Sequence, residues 1–265
     1  MISTGGKIRK TYAELFNVYQ GEYEAAREKF ERALGIFQRI GDRAREAATW
    51  HELGRIDVYQ GEYEAAREKF ERNLGIWQEL GDKSWEAKTW HQLAAIDVNQ
   101  GEYEVAREKF ERALGIFQRI GDRAGEAATW HELGRIDLRR GEYDAAREKF
   151  ERALGIFQRI GDRAGEAATF AQLGILAAKT GEPERGLRFL LLSAIILGSI
   201  GHAQLKEVEP WVNRLASQLG YTQERFDALA REVRAEYRKD RGWGMVRGEP
   251  SCPELKLRAE KSKVC

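Results

Sequence analysis

A single interval governs this chain. Trp50, Trp90 and Trp130 recur at one fixed spacing, as do Tyr23, Tyr63, Tyr103 and Tyr143. That spacing, about 40 residues, lies in the range of helical repeat arrays. The segments starting at Gly101 and Gly141 agree for nearly thirty positions, differing only at Glu104/Asp144 and Val105/Ala145. Identity of that degree comes from recent duplication or from deliberate consensus design. Within each period two apolar stripes follow helical spacing, for example Trp50, Leu53 and Ile56, then Ala66, Phe70, Leu74 and Trp77. Each stripe marks one amphipathic helix. Gly61 breaks the first helix, and Gly81 with Asp82 supplies a left-handed stop followed by an N-cap. The unit is therefore an antiparallel helical hairpin. One hairpin cannot bury both of its apolar faces, so neighbours must stack.

Trp50, Leu53, Gly54, Gly61, Tyr63, Ala66, Phe70 and Leu74 resemble, in order and spacing, the signature of tetratricopeptide repeats. Asp57 departs from it, standing where that family usually has an aromatic residue. The extra length falls in the second helix, as in the longer repeats of kinesin light chains and of bacterial multidomain signalling ATPases. The resemblance covers about Lys7 to Ile200 and implies an all-α fold, a right-handed superhelical solenoid of antiparallel helix hairpins. Five hairpins are expected over 7–200. The first opens with a divergent helix, Lys7 to Tyr19, carrying Lys10 where later repeats carry tryptophan. Residues 1–6 read as a flexible start. A capping helix pair is expected over 201–241, its first helix interrupted by Pro210 and its second carrying Phe226, Leu229, Val233 and Tyr237 in register. Residues 242–265 lack any period and read as a disordered tail.

Charge narrows the function classes. Formal net charge is +1 although 33% of residues are charged, which leaves no footprint for a polyanion or a membrane surface. The run FLLLSAIILGSI, Phe189 to Ile200, is too short to span a bilayer and reads as a core helix. Cys252 and Cys265 form neither a disulfide framework nor a metal-ligand spacing. The start MISTGGKIRK has no apolar run behind its basic residues, so a cytoplasmic location is expected.

Several charged positions recur. Asp57 and Arg67 lie at matching distances from the turn at Gly61, which predicts a structural ion pair inside each hairpin: Asp57 with Arg67, Asp97 with Arg107, Asp137 with Arg147. The fifth repeat loses both partners together, to Ala177 and Leu187. His51, His91 and His131 recur once per repeat, but neighbouring first helices about 8 to 10 Å apart cannot bring all three to one ion. No metal and no cofactor are expected. Packing and partner contact remain equal readings for these histidines. No nucleophile with its base and orienter appears, and no glycine-rich phosphate loop follows a strand, so the chain does not read as an enzyme.

In the family it resembles, the first helices line an inner, concave surface that receives a peptide. Carried over by position, that surface here displays Thr11, Tyr19, His51, Arg55, Tyr59, Lys88, His91, Asn99, His131, Arg135, Arg139 and Lys179. The set leans basic, which points to an acidic segment as ligand, with an ordinary solvated groove as the equal alternative. The stretch Asn73 to Asn99 departs most from the other repeats, at Asn73, Trp77, Glu79, Trp85, Lys88, Ala95 and Asn99; it is either a specific subsite or drift after duplication. The expected function is a protein- or peptide-binding scaffold of the kind found in signalling proteins. The alternative is a self-assembling module that stacks through its ends. Nucleic acid is not expected as a partner, because an RNA-binding array would need basic inner faces throughout.

Overall fold

The computed structural model describes residues 4–248, with side chains from Glu22 onward. Its described residues are helices joined by short turns, without a strand. They fall into two compact units, the chain dividing between Asp122 and Arg123. The first unit holds α1 (Thr4–Ile40), α2 (Arg43–Gln60), α3 (Tyr63–Leu80), α4 (Lys83–Gln100) and α5 (Tyr103–Ile120). The second holds α6 (Arg123–Arg140), α7 (Tyr143–Ile160), α8 (Arg163–Lys179), α9 (Pro183–Ser199), α10 (Leu205–Gln218), α11 (Gln223–Asp240) and α12 (Trp243–Arg247).

Two alternating turns set the repeat. At the turn inside a hairpin, Gly61 takes φ +78° and its N–H donates to the Val58 carbonyl, while the Glu62 N–H donates back to Asp57. This left-handed stop satisfies carbonyls that a helix end leaves open. Between hairpins, Gly81 (φ +73°) stops α3 in the same way, and the Asp82 carboxylate then accepts from the Trp85 N–H at 3.0 Å. Glu62 makes no such side-chain cap. Only the turn between hairpins therefore fixes the start of the next helix with a side chain, a contribution of about 1 kcal/mol.

Inside a hairpin the two helices approach at Gly54 and Phe70, where a Cβ on Gly54 would come within 3.1 Å of the ring. In the second unit the matching pair, Gly134 and Phe150, is closer at 2.8 Å. Phe70, Phe110 and Phe150 are fully buried, each worth about 1.5–3 kcal/mol of transfer free energy. Hairpins join through a second set of contacts, such as Ala47 with Ile76 and Trp77, or Ala87 with Ala113, Ile116 and Phe117. Trp50, Trp90 and Trp130 pack beside these clusters, and the guanidinium groups of Arg72, Arg112 and Arg152 lie over their rings at 4.9, 4.5 and 4.8 Å.

The structure departs from the sequence reading in three places. First, α1 runs unbroken through Gly21, where a hairpin turn was expected. The turn sequence there matches the later ones, while Lys10 stands where later repeats carry tryptophan. Second, Pro210 sits inside α10 and does not interrupt it. Third, Gly242 to Gly248 is part of the fold. The N–H groups of Gly242 and Gly244 donate to the Asp240 carboxylate, and α12 then places Met245 and Val246 in the core. Trp243 donates its indole N–H to Gln158 Oε1 at 2.7 Å, and Arg185 donates to the carbonyls of Met245 and Val246. The remainder of the expected tail, 249–265, lies outside the described residues, as do 1–3. The apolar run in α9 is core: Leu187, Leu190, Leu192, Ile196 and Leu197 are buried against α8, α10 and α11. Among the described residues no helix is long and apolar enough to cross a membrane.

Candidate functional site

The charged layer is built differently from the expected Asp57–Arg67, Asp97–Arg107 and Asp137–Arg147 pairs. Arg67 leaves its own hairpin and reaches Asp97 of the next, Nη1 to Oδ1 2.7 Å, and Arg27 reaches Asp57 at the same distance. The partner within the hairpin is a lysine: Lys69 on Asp57 at 2.5 Å, Lys109 on Asp97 at 2.6 Å, and Lys149 on Asp137. The aspartates are fully buried. Asp57 and Asp97 lie on the side of their helices that faces the preceding hairpin, so the arginine from that hairpin meets each of them. Burial opposes the charge on Arg67, but the hydrogen bond and attraction from Asp97 more than offset this, and its pKa is raised. Arg107 lies 4.0 Å from Glu104, and Arg147, facing Ala177 in the fifth repeat, turns to Glu182 at 3.5 Å. These groups hold neighbouring helices together.

Each recurring histidine packs against the phenylalanine of its own hairpin. His51 is buried, its ring edge-on to Phe70 at 5.4 Å and to Trp85 at 5.5 Å. His91 meets Phe110 at 4.9 Å and His131 meets Phe150 at 5.7 Å. Ala94 replaces glycine only in the repeat where the histidine–phenylalanine distance is shortest. His131 Nδ1 also lies 3.1 Å from the Thr169 hydroxyl. Burial lowers the His51 pKa; Arg55 and Lys88 push it the same way against Glu52. No cluster of metal-binding side chains occurs among the described residues.

The remaining first-helix positions split between the two units. In the first unit Arg55, Tyr59, Lys88 and Asn99 are exposed. Tyr59 stacks on Tyr23 (centroids 5.8 Å, 10° between planes), and Arg55 donates to its hydroxyl at 3.2 Å while pairing with Glu52. This tyrosine is 61% exposed although held on two sides. In the second unit Arg139 is exposed, whereas Arg135 pairs with Glu132 at 2.9 Å. Glu52 and Glu132 therefore offset part of the basic bias read from the sequence. Thr11 and Tyr19 lie in α1 ahead of the described side chains.

The divergent stretch Asn73 to Asn99 turns largely inward. Asn73 is fully buried, donating to the Ala47 carbonyl at 2.6 Å and accepting from the Thr89 hydroxyl at 2.5 Å. Trp77 is buried and stacks on Trp85 (5.5 Å, 11°), and Lys88 lies over the Trp85 ring at 4.8 Å. Where Trp85 stands, the equivalent position of the fifth repeat is Gly165, whose added Cβ would strike Phe157 at 2.5 Å. A flat aromatic stack replaces a tight aromatic–glycine contact. These changes compensate one another, leaving Glu79, Lys88 and Asn99 as the exposed members of the set, with Glu79 paired to Arg43 at 2.6 Å.

The fold recurs in known proteins. BtubC (BKLC) from P. vanneervenii is similar with a TM-score of 0.66 at 19% identity, over 82% of this chain and 92% of that one. Aspartyl phosphate phosphatase F from Bacillus subtilis gives 0.68 at 14% identity, over 94% and 68%. A signal transduction ATPase with a tetratricopeptide repeat sensor, from Pyrococcus horikoshii, gives 0.63 at 18% identity, over 91% of this chain and 37% of that one. At these identities the likeness is one of fold. No curated protein matches at the level of sequence. The tetratricopeptide repeat model matches 9–79, 45–119, 85–159 and 125–190. These overlapping matches run from 9 to 190, well over half of the chain, and the chain belongs to the tetratricopeptide repeat family.

Proposed function

We propose that the chain is a non-catalytic scaffold that holds a protein or peptide partner on its first-helix faces, α2 with α4 in one unit and α6 with α8 in the other, and that the segment held is acidic. The observation that carries this is the pair Arg55 and Tyr59. An exposed aromatic ring is fixed by stacking on Tyr23 and by the Arg55 hydrogen bond, so little side-chain entropy is lost when a partner covers it. Tyrosine and arginine are also the residue types that dominate protein interfaces. Lys88, Arg139 and Lys179 add exposed positive charge on the same helices. A signalling role in the cytoplasm goes with this reading, in keeping with the repeat sensor of the similar Pyrococcus protein.

The test is selection of displayed random peptides on the full chain, repeated with a variant carrying Arg55→Ala, Tyr59→Ala, Lys88→Ala and Arg139→Ala. Enrichment of acidic sequences by the first and not by the second is expected. Selection of the same sequences by both proteins would move the site elsewhere. A concentration-dependent rise in mass without any peptide selected would favour self-assembly.

A further inference from the structure

The second unit carries a feature that the repeat does not supply. Between α8, α9 and α10 lies an open cleft of about 340 Å³ with a floor that includes Ile175, Leu190 and Leu215. Its rim holds Lys179, Arg214 and Trp211. At the positions of Ile175 and Lys179 the fourth repeat has Arg135 and Arg139, so this face turns apolar at its floor and keeps a cation at its edge. Of the seven tryptophans in the chain, Trp211 alone is exposed, at 49%.

The charges around the cleft are one-sided. Lys179 and Arg214 are its only ionisable lining groups. Neither forms an ion pair among the described residues, whereas Arg163, Arg185 and Arg188 of the same unit all do. Position 172 is glutamine where the fourth repeat has Glu132 to neutralise its arginine. An apolar cleft of this size with a few convergent polar groups is the ordinary form of a binding site. Its two cations, left without counter-charges, select the occupant.

We propose that this cleft is a subsite for an acidic peptide segment, seating one bulky apolar side chain against Ile175, Leu190 and Trp211 while flanking carboxylates meet Lys179 and Arg214. The subsite rests on the peptide-binding reading above and places the partner's apolar anchor at the end of the repeats. Carboxylates on both sides of the anchor give charge-assisted bonds to both rim cations, and the tryptophan face covers the anchor.

The probe is a fluorescein-labelled hexapeptide with Leu-Phe between two Asp-Glu pairs, titrated by anisotropy into the full chain, with a Lys-flanked Leu-Phe peptide as control. Saturable binding of the acidic peptide alone is expected. It should weaken at least about tenfold in Lys179→Glu/Arg214→Glu, which should then accept the Lys-flanked peptide. Trp211→Ala should weaken binding with charge unchanged, and circular dichroism checks that each variant stays helical. Equal affinity in the wild type and the charge-reversed variant overturns the subsite. So does a wild type that binds neither peptide. The broader reading survives either result if the peptide selection is lost with Arg55, Tyr59, Lys88 and Arg139, because none of those residues lines the cleft.

Discussion

Arg67 on α3 forms an ion pair with Asp97 on α4 across the boundary between two hairpins, 2.7 Å from Nη1 to Oδ1, and Lys109 of α5 closes on the other oxygen at 2.6 Å. One buried carboxylate thus ties three helices. Removing it leaves two cations, each about one-fifth exposed, without their partner. Asp97→Ala should cost about 3–5 kcal/mol, the range for breaking a buried pair from one side. Arg55→Ala, which removes a pair of 44% and 39% exposed groups, should cost no more than about 1 kcal/mol. Chemical denaturation of the two variants beside the wild type measures the contrast.

His51 gives the fold a pH response of fixed sign. Burial holds its folded pKa below the ordinary imidazole value of about 6.5, so between those two values the unfolded chain binds more protons. The neutral ring's contribution is fully present above about pH 6.5 and is lost as pH falls from there through the lowered folded value. His51→Phe should flatten that part of the stability profile. Denaturation midpoints taken from pH 7.5 to 5 for both proteins check this, and parallel profiles would assign the response to other groups.

Asn73 and Thr89 are predicted to be coupled. The Thr89 hydroxyl donates to Asn73 Oδ1 and also lies 2.8 Å from the Trp85 carbonyl. Thr89→Val in the wild type strands a buried acceptor and should cost about 1–3 kcal/mol. In an Asn73→Ala background, which copies Ala113 and Ala153 of the other repeats, the same change should cost less. A double-mutant cycle by denaturation gives the difference, and equal costs in both backgrounds would remove the coupling.

The end of the second unit depends on Gly242. Its φ is +86°, and a Cβ there would stand 2.9 Å from Phe170 and 3.2 Å from Leu192. Gly242→Ala therefore meets backbone strain and core overlap together and should destabilise by about 1–3 kcal/mol. Hydrogen exchange should show the loss of protection concentrated in α8, α9 and α12, with the first unit unchanged.

Much of this was legible in the sequence because turns and helices there depend on local chemistry. Gly61 and Gly81 with Asp82 mark their stops and starts, and Phe70 opposite Gly54 marks the crossing. The register of the ion pairs was not. Counting residues from Gly61 treats a hairpin as flat and matches Asp57 with Arg67, whereas the aspartate faces the preceding hairpin. The recurrence of Lys69, Lys109 and Lys149 was the available signal. The exposed part of the candidate site followed from position alone for Arg55, Tyr59 and Lys88, but His51 was absorbed into the core by Trp85, a change specific to one repeat. The docking of Trp243 to Val246 had no period to announce it, only three apolar residues after a glycine.

Whether the first-helix faces hold an acidic partner is tested most directly by calorimetric titration of a peptide enriched on the full chain. Affinity should fall as salt is raised from 50 to 300 mM and should drop by about tenfold or more in the variant lacking Arg55, Tyr59, Lys88 and Arg139. A peptide that binds both proteins equally, at both salt concentrations, would contradict it.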